Sequence, residues 1–321
     1  MADPNGNNPE PTARSAGWER QVLERLAFAA LEEQRRARRW KIAFRATILL
    51  LILLALFAQP REWGGGKGLA HHTALVDLDG EIAAEQAASA DNVVAGLRAA
   101  FEANNTAGVI LRVNSPGGSP VQSRYVYDEI KRLRAKYPKI PLYAVISDMC
   151  ASGCYYIVAA ADKIYADRGS LVGSIGVLMN GFGFTEAMKK LGIERRLLTA
   201  GEHKGILDPF GPIKPEERLH AQKMLNNIHR QFIEAVREGR GKALKETKDM
   251  FSGLFWTGEQ AKELGLVDEF GSAAHVARDV FEAEEIVDFT FREGFVERFA
   301  RRFGSAMGET MALRLFGPTL K

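Results

Sequence analysis

The stretch GVILRVNSPGGSPVQSRYVYDEIKRLRAKY, residues 108–137, decides the fold class. Gly108 to Val113 form a short, nearly continuous apolar run, the pattern of a buried strand. From Val121 to Tyr137 apolar side chains return at helical spacing, so a helix follows. Between them lies Asn114-Ser115-Pro116-Gly117-Gly118-Ser119, where adjacent glycines let the chain turn sharply and expose its amides. Strand, tight turn and helix make the repeating unit of an α/β domain. No Gly-Lys-Ser/Thr follows the glycines, which sets a phosphate loop aside. Two readings remain for this turn: one that merely needs glycine, or one that keeps its amides for a ligand.

Working outward, the alternation repeats. Upstream, Thr73 to Leu78 reads as a strand and Asn92 to Ala103 as an amphipathic helix. Downstream, Pro141 to Ile146 is a strand and Tyr155 to Ala161 a short helix. Lys163 to Ala166 and Gly173 to Leu178 read as strands, and Glu186 to Leu191 as a helix. After Pro215 the pattern becomes helical, first to about Gly239, then near Gly258 to Leu264 and Ser272 to Ala283. The succession predicts an α/β domain with largely parallel strands over residues 71–290. In such sheets the functional loops lie where strands end and helices begin.

A second turn of this kind is Asp148-Met149-Cys150-Ala151-Ser152-Gly153-Cys154-Tyr155-Tyr156. Ala151 and Gly153 leave Ser152 open to close approach, but Cys150 and Cys154 occupy the outer positions, so this is not a Gly-x-Ser-x-Gly elbow. A serine that opens a helix is often only a cap. As a nucleophile it needs a base and an oxyanion site, and the amides of Gly118 and Gly153 are candidates for the second, worth about 3 kcal/mol per donor. Among the six histidines, His71 and His72 lie beside the tether, while His220, His229 and His275 fall in helical segments away from such turns. Only His203 competes with Lys204, in Gly201-Glu202-His203-Lys204-Gly205. A lysine base needs its pKa lowered by roughly 3 units, about 4 kcal/mol. Burial against Ile206 and Leu207 would supply this if Glu202 points elsewhere; otherwise Lys204 is an exposed surface lysine. Cys150 and Cys154 are expected as buried free thiols, because a bridge around so tight a turn strains its geometry.

The chain has 321 residues, 46% hydrophobic and 26% charged, enough for one sizeable core or two small ones. Its net charge of +3 is unevenly spread, with Arg35, Arg36, Arg38, Arg39, Lys41 and Arg45 in one run. A nucleic-acid arm is set aside because Ala46 to Ala58 then carries no charge, and Trp40 and Trp63 bracket the region. The two aromatics enclose roughly 22 residues, about 33 Å of helix, close to one bilayer crossing. Arg45 near the end of the span can snorkel. The basic flank places the N-terminus in the cytoplasm and the rest outside. Residues 1–40 therefore read as a polar cytoplasmic arm and 41–60 as a transmembrane signal anchor rather than a cleaved signal peptide. Residues 61–70, with Pro60 just before and a Gly triplet within, read as a flexible tether. In the tail, residues 291–321, Phe291, Phe295, Phe299 and Phe303 recur every four residues among Arg298, Arg301 and Arg302. This amphipathic helix is expected to pack across a subunit boundary rather than lie on a membrane.

Taken in order, NSPGGS, D-M-x-A-S-G-x-Y-Y-I, G-S-I-G-V, the lysine of GEHKGILDPF and WTGEQAKELGLVD resemble the signal peptide peptidase A family of membrane-anchored serine proteases. The resemblance covers about residues 71–290. It implies Ser152 as nucleophile, Lys204 as general base, Ser174 as the serine that orients the lysine, and Gly118 and Gly153 as oxyanion donors, with His203 only a neighbour. It also implies a Clp protease/crotonase-like fold of ββα repeats behind a single N-terminal transmembrane helix, with no cofactor and no metal. The expected substrates are signal peptides and other apolar peptides, at the outer face of the cytoplasmic membrane. The expected assembly is a ring-shaped homo-oligomer whose sites draw on adjacent protomers, without nucleic acid. One departure stands out: the family usually has alanine and glycine where Cys150 and Cys154 stand. Two other classes remain, a catalytically inactive scaffold of the same fold and a crotonase-type acyl-CoA enzyme.

Overall fold

The computed structural model describes residues 14–57 and 70–292. They belong to two compact units, split near Glu62 and Trp63. The tether, the tail beyond Arg292 and the first residues of the N-terminal arm lie outside the described residues.

In the first unit, helix α1 (Arg14–Phe57) runs without a break through the basic cluster into the apolar run. Over the described residues, the arm expected at 1–40 and the apolar run after it form one helix of 44 residues. Among the described residues no helix is long and apolar enough to cross a membrane. The span expected at 41–60 begins with Lys41 and Arg45 and ends in residues 58–60, outside the described set.

The second unit is built on an eight-stranded sheet. Its strands are β1 (His72–Asp79), β2 (Thr106–Ser115), β3 (Leu142–Ala151), β4 (Lys163–Ala166), β5 (Leu171–Gly173), β6 (Phe255–Thr257), β7 (Glu269–Phe270) and β8 (Ile286–Asp288). The main order is β6-β5-β3-β2-β1-β8, with β4 beside β3 and β7 beside β4. Every pairing is parallel except β5 with β6. The sheet is thus α/β and largely parallel, as the alternation predicts.

Alternate strand positions face two different cores, as a period of two requires. Ala74, Val76 and Leu78 of β1 with Val109, Leu111 and Val113 of β2 join the main core. Helices α2 (Ala90–Glu102), α3 (Pro120–Lys136), α4 (Gly153–Val158) and α6 (Pro215–Arg240) contribute to that core. Leu75, Ile110, Val145 and Tyr165 point the other way, against Val276 and Ala277. Those two residues lie in a π turn that continues the short helix α8 (Ala273–His275). Two further helices, α5 (Thr185–Lys190) and α7 (Gly258–Glu263), complete the set.

β3 is the strand that positions the site. Its first half, Tyr143 to Ile146, pairs with β4, while Met149, Cys150 and Ala151 pair with β5. Ser170 bridges the change of partner by donating its hydroxyl to the Ser147 carbonyl. The strand expected at Gly173 to Leu178 is instead β5, displaced toward the N-terminus. Gly173 holds φ +112 and Ser174 φ +50, so the chain leaves the sheet there.

Candidate active site

Three parallel strands end side by side. Across them Ser115 of β2, Cys150 of β3 and Val172 of β5 stand in register. The turns that leave their C-terminal ends carry Gly117 and Gly118, Ser152 and Gly153, and Ser174. This is where parallel α/β sheets place their ligands.

Ser152 occupies the cap position of α4, yet its hydroxyl makes no capping hydrogen bond. Its backbone sits at φ 53 and ψ −123, a region that costs a non-glycine residue on the order of 1–3 kcal/mol. Its amide donates to the Gly173 carbonyl at 2.8 Å, and its carbonyl accepts from Tyr156 at 3.0 Å. The side chain is half-buried. A strained serine at a sharp strand-to-helix turn, with a free hydroxyl, is the geometry of a nucleophile elbow even though the outer residues are not glycine. The capping alternative is thereby removed.

The glycine turn packs directly on this elbow. A Cβ at Gly117 would lie 2.8 Å from Ser152 Cβ and 2.7 Å from the Gly153 nitrogen. A Cβ at Gly118 would lie 2.2 Å from the Ile82 carbonyl oxygen. Ile82 secures the turn from the other side, its amide donating to Gly117 O at 2.9 Å and its carbonyl accepting from Ser119 at 2.7 Å. The amides of Gly118 and Gly153 have no acceptor among the described residues. The Gly153 position is itself tight, since a Cβ there would meet Ser123 Oγ at 2.4 Å and the Gly118 nitrogen at 3.3 Å. These glycines are required by contact as well as by turn geometry.

Ser174 follows Gly173, the partner of Ala151. Its amide donates to Leu254 O at 2.7 Å. Two neighbours of this turn escaped the sequence reading. His229 of α6, set aside as remote, places Nε2 3.1 Å from the carbonyl of Ile175. Trp256 of β6 covers Gly173, where a Cβ would lie 3.1 Å from its Cδ1. Both contacts are long-range, and no local pattern could have announced them. Ser123, buried and donating to Ser119 O at 2.9 Å, also escaped the sequence reading; it lies against Gly153.

Among the described residues no hydrogen bond joins Lys204 to Ser152. It lies in a turn in which its amide donates to Gly201 O at 3.2 Å, and its side chain is exposed. Among the described residues its amine makes no hydrogen bond or ion pair. Of the two readings, burial against Ile206 and Leu207 or an exposed surface lysine, the single chain shows the second, with residues 201–204 all open to solvent. Glu202 does point elsewhere, its carboxylate 4.0 Å from His203 Nε2.

The cysteine expectation is corrected outright. Cys150 and Cys154 are joined by a disulfide, with Cα atoms 5.2 Å apart. The positive φ of Ser152 folds the strand end back on the helix start and brings the pair within ordinary bridging distance. Beneath α4, burial pushes the Tyr155 hydroxyl above the usual tyrosine range, so it stays neutral and donates to Leu266 O at 2.8 Å. That bond ties the helix behind Ser152 to the C-terminal part of the domain.

Residues 134–286 match peptidase family S49. The Na(+)/H(+) antiporter NhaA of Brucella melitensis is 46% identical over 187 residues, 58% of this chain and 25% of that protein. The chain thus spans about a quarter of the length of that relative. A putative protease of Methanocaldococcus jannaschii is 34% identical over 214 residues, 64% of this chain and 68% of its own length. A putative signal peptide peptidase SppA of Enterococcus faecium is 31% identical over 202 residues, 63% of this chain and 58% of that protein. The matched segment contains the Ser152 elbow, the Ser174 turn and Lys204, and on these matches the chain belongs to peptidase family S49, the signal peptide peptidase A family of proteases.

Proposed function

We infer that the chain is a serine endopeptidase that cleaves residual signal peptides and similar apolar segments at the membrane. One observation carries this reading: the uncapped hydroxyl of Ser152, held at φ 53, beside two backbone amides without acceptors. Ser152 attacks the scissile carbonyl, and the amides of Gly118 and Gly153 receive the oxyanion of the tetrahedral intermediate. Lys204 takes the serine proton and returns it to the leaving amine, with Ser174 orienting its ammonium. Water then releases the acyl group by the same route. The chemistry asks for no cofactor or metal. The fold in this reading is Clp protease/crotonase-like.

Exposure of Lys204 in the single chain supports a site completed by an adjacent protomer in a ring. The surrounding segment supports it too, since Leu178, Phe182 and Leu198 are 83%, 76% and 96% exposed. Such apolar surface asks for a partner. A single-pass anchor with the N-terminus in the cytoplasm is supported by the uncharged sequence Ala46 to Ala58 behind a basic flank. The disulfide fits a catalytic domain on the oxidising side.

The test is hydrolysis of a synthetic signal peptide by the detergent-solubilised full chain. Ser152→Ala and Lys204→Ala abolish turnover and His203→Ala leaves it intact if the reading holds. Full activity in Lys204→Ala would remove the lysine base, and an inert wild type would favour the scaffold.

A further inference from the structure

Cys150 is the penultimate residue of β3 and Cys154 the second of α4, so their bond encloses only Ala151, Ser152 and Gly153. Ser152 is the middle of that loop. Both cysteines are fully buried. Cys150 lies in register between Ser115 of β2 and Val172 of β5, and Cys154 belongs to the main core. Bonded sulfurs approach far inside van der Waals contact, whereas two thiols must move apart. A close-packed core gives little room for that. The part that can yield is the three-residue turn, already strained at Ser152.

We propose that the Cys150–Cys154 disulfide is a positioning pair that keeps Ser152 in its attacking conformation, so that the enzyme is active oxidised and loses acylation rate when a dithiol reduces it. This rests on Ser152 being the nucleophile. In the reductive step a thiolate of the dithiol attacks one cysteine sulfur and forms a mixed disulfide; its second thiolate then displaces the protein sulfur. Two electrons pass to the protein, the two cysteine thiolates take up protons, and the reagent closes its own disulfide. Because both sulfurs are buried, attack waits on local opening of the turn.

The test compares the oxidised full chain in detergent with the same protein reduced by dithiothreitol, the redox state being fixed by thiol titration. The readouts are the rate of Ser152 labelling by a fluorophosphonate, kcat and KM on a signal peptide, and near-ultraviolet circular dichroism. Reduction lowers labelling and kcat by roughly tenfold to a hundredfold, the scale of a small misplacement of a reacting group, while KM and the dichroism hold. Cys150→Ala/Cys154→Ala, which removes both sulfurs and their crowding, labels at one rate with or without the dithiol. Equal labelling of oxidised and reduced wild type overturns the proposal, as does a variant that still responds to the dithiol. Free thiols in the oxidised protein, or loss of the dichroism on reduction, also overturn it. Failure of the oxidised protein to label, or labelling that survives Ser152→Ala, identifies the nucleophile assignment as the fault and removes the proposal with it.

Discussion

At the scale of single residues the site is defined by what has no room to grow. Gly153 lies against Ser123, whose hydroxyl is itself committed to the Ser119 carbonyl. Gly153→Ala should therefore push the Gly153 amide off the oxyanion position and cost about 10²–10³ in kcat, the loss expected for one donor. Adding Ser123→Ala removes the atom in the way and should recover part of that loss. Steady-state kinetics on the single and double variants check this, and equal activity in both would mean that the contact does not control the amide. Residues of this kind were only half legible. Ser152, Gly118, Gly153 and Ser174 stand out through their small neighbours and their resemblance to a family pattern. The disulfide was misjudged because bridge geometry was weighed for an ordinary turn, and a positive φ at serine cannot be read from composition. His229 and Trp256 reach the site from elements more than fifty positions away, beyond any local signal.

At the scale of elements, α2 and α3 are joined by Glu129. It accepts from Arg98 of α2 at 2.6 Å and from Arg132 of α3 at 2.7 and 2.8 Å. The arginine hydrogen bonds, with Arg132 foremost, hold its carboxyl down to about 2, against the opposing effect of burial. A depressed carboxylate contributes stability that is present above its unfolded pKa and lost as pH falls toward the folded value. Glu129→Gln should thus cost about 1–2 kcal/mol at pH 7, discounted for the half-exposed arginines, and little near pH 2. Urea unfolding at both pH values measures the difference, and a cost independent of pH would count against the ion pairs. The long elements were legible because they show a full period: β1, β2 and β3 and helices α2, α3 and α6 lie close to their expected places. Strands of two or three residues, such as β6, β7 and β8, complete no period, and they form only because the rest of the sheet offers them an edge.

At the scale of the whole molecule, the segment after Ser174 shows many apolar side chains to solvent, Phe182 and Leu198 among them. If that surface closes a ring, Phe182→Asp/Leu198→Asp should shift the protein to a smaller species on sizing and lower its activity, with circular dichroism unchanged. An unaltered elution volume would assign the surface some other partner. The sheet carries a further consequence through β3, which gives its first half to β4 and its last residues to β5. The leaf formed by β5 and β6 touches the serine turn and joins the sheet only through the last residues of β3. A wall attached this way can be recut beyond its three paired residues to admit different peptides, while the pairings of β1 with β2, β2 with β3 and β3 with β4 keep their hydrogen bonds.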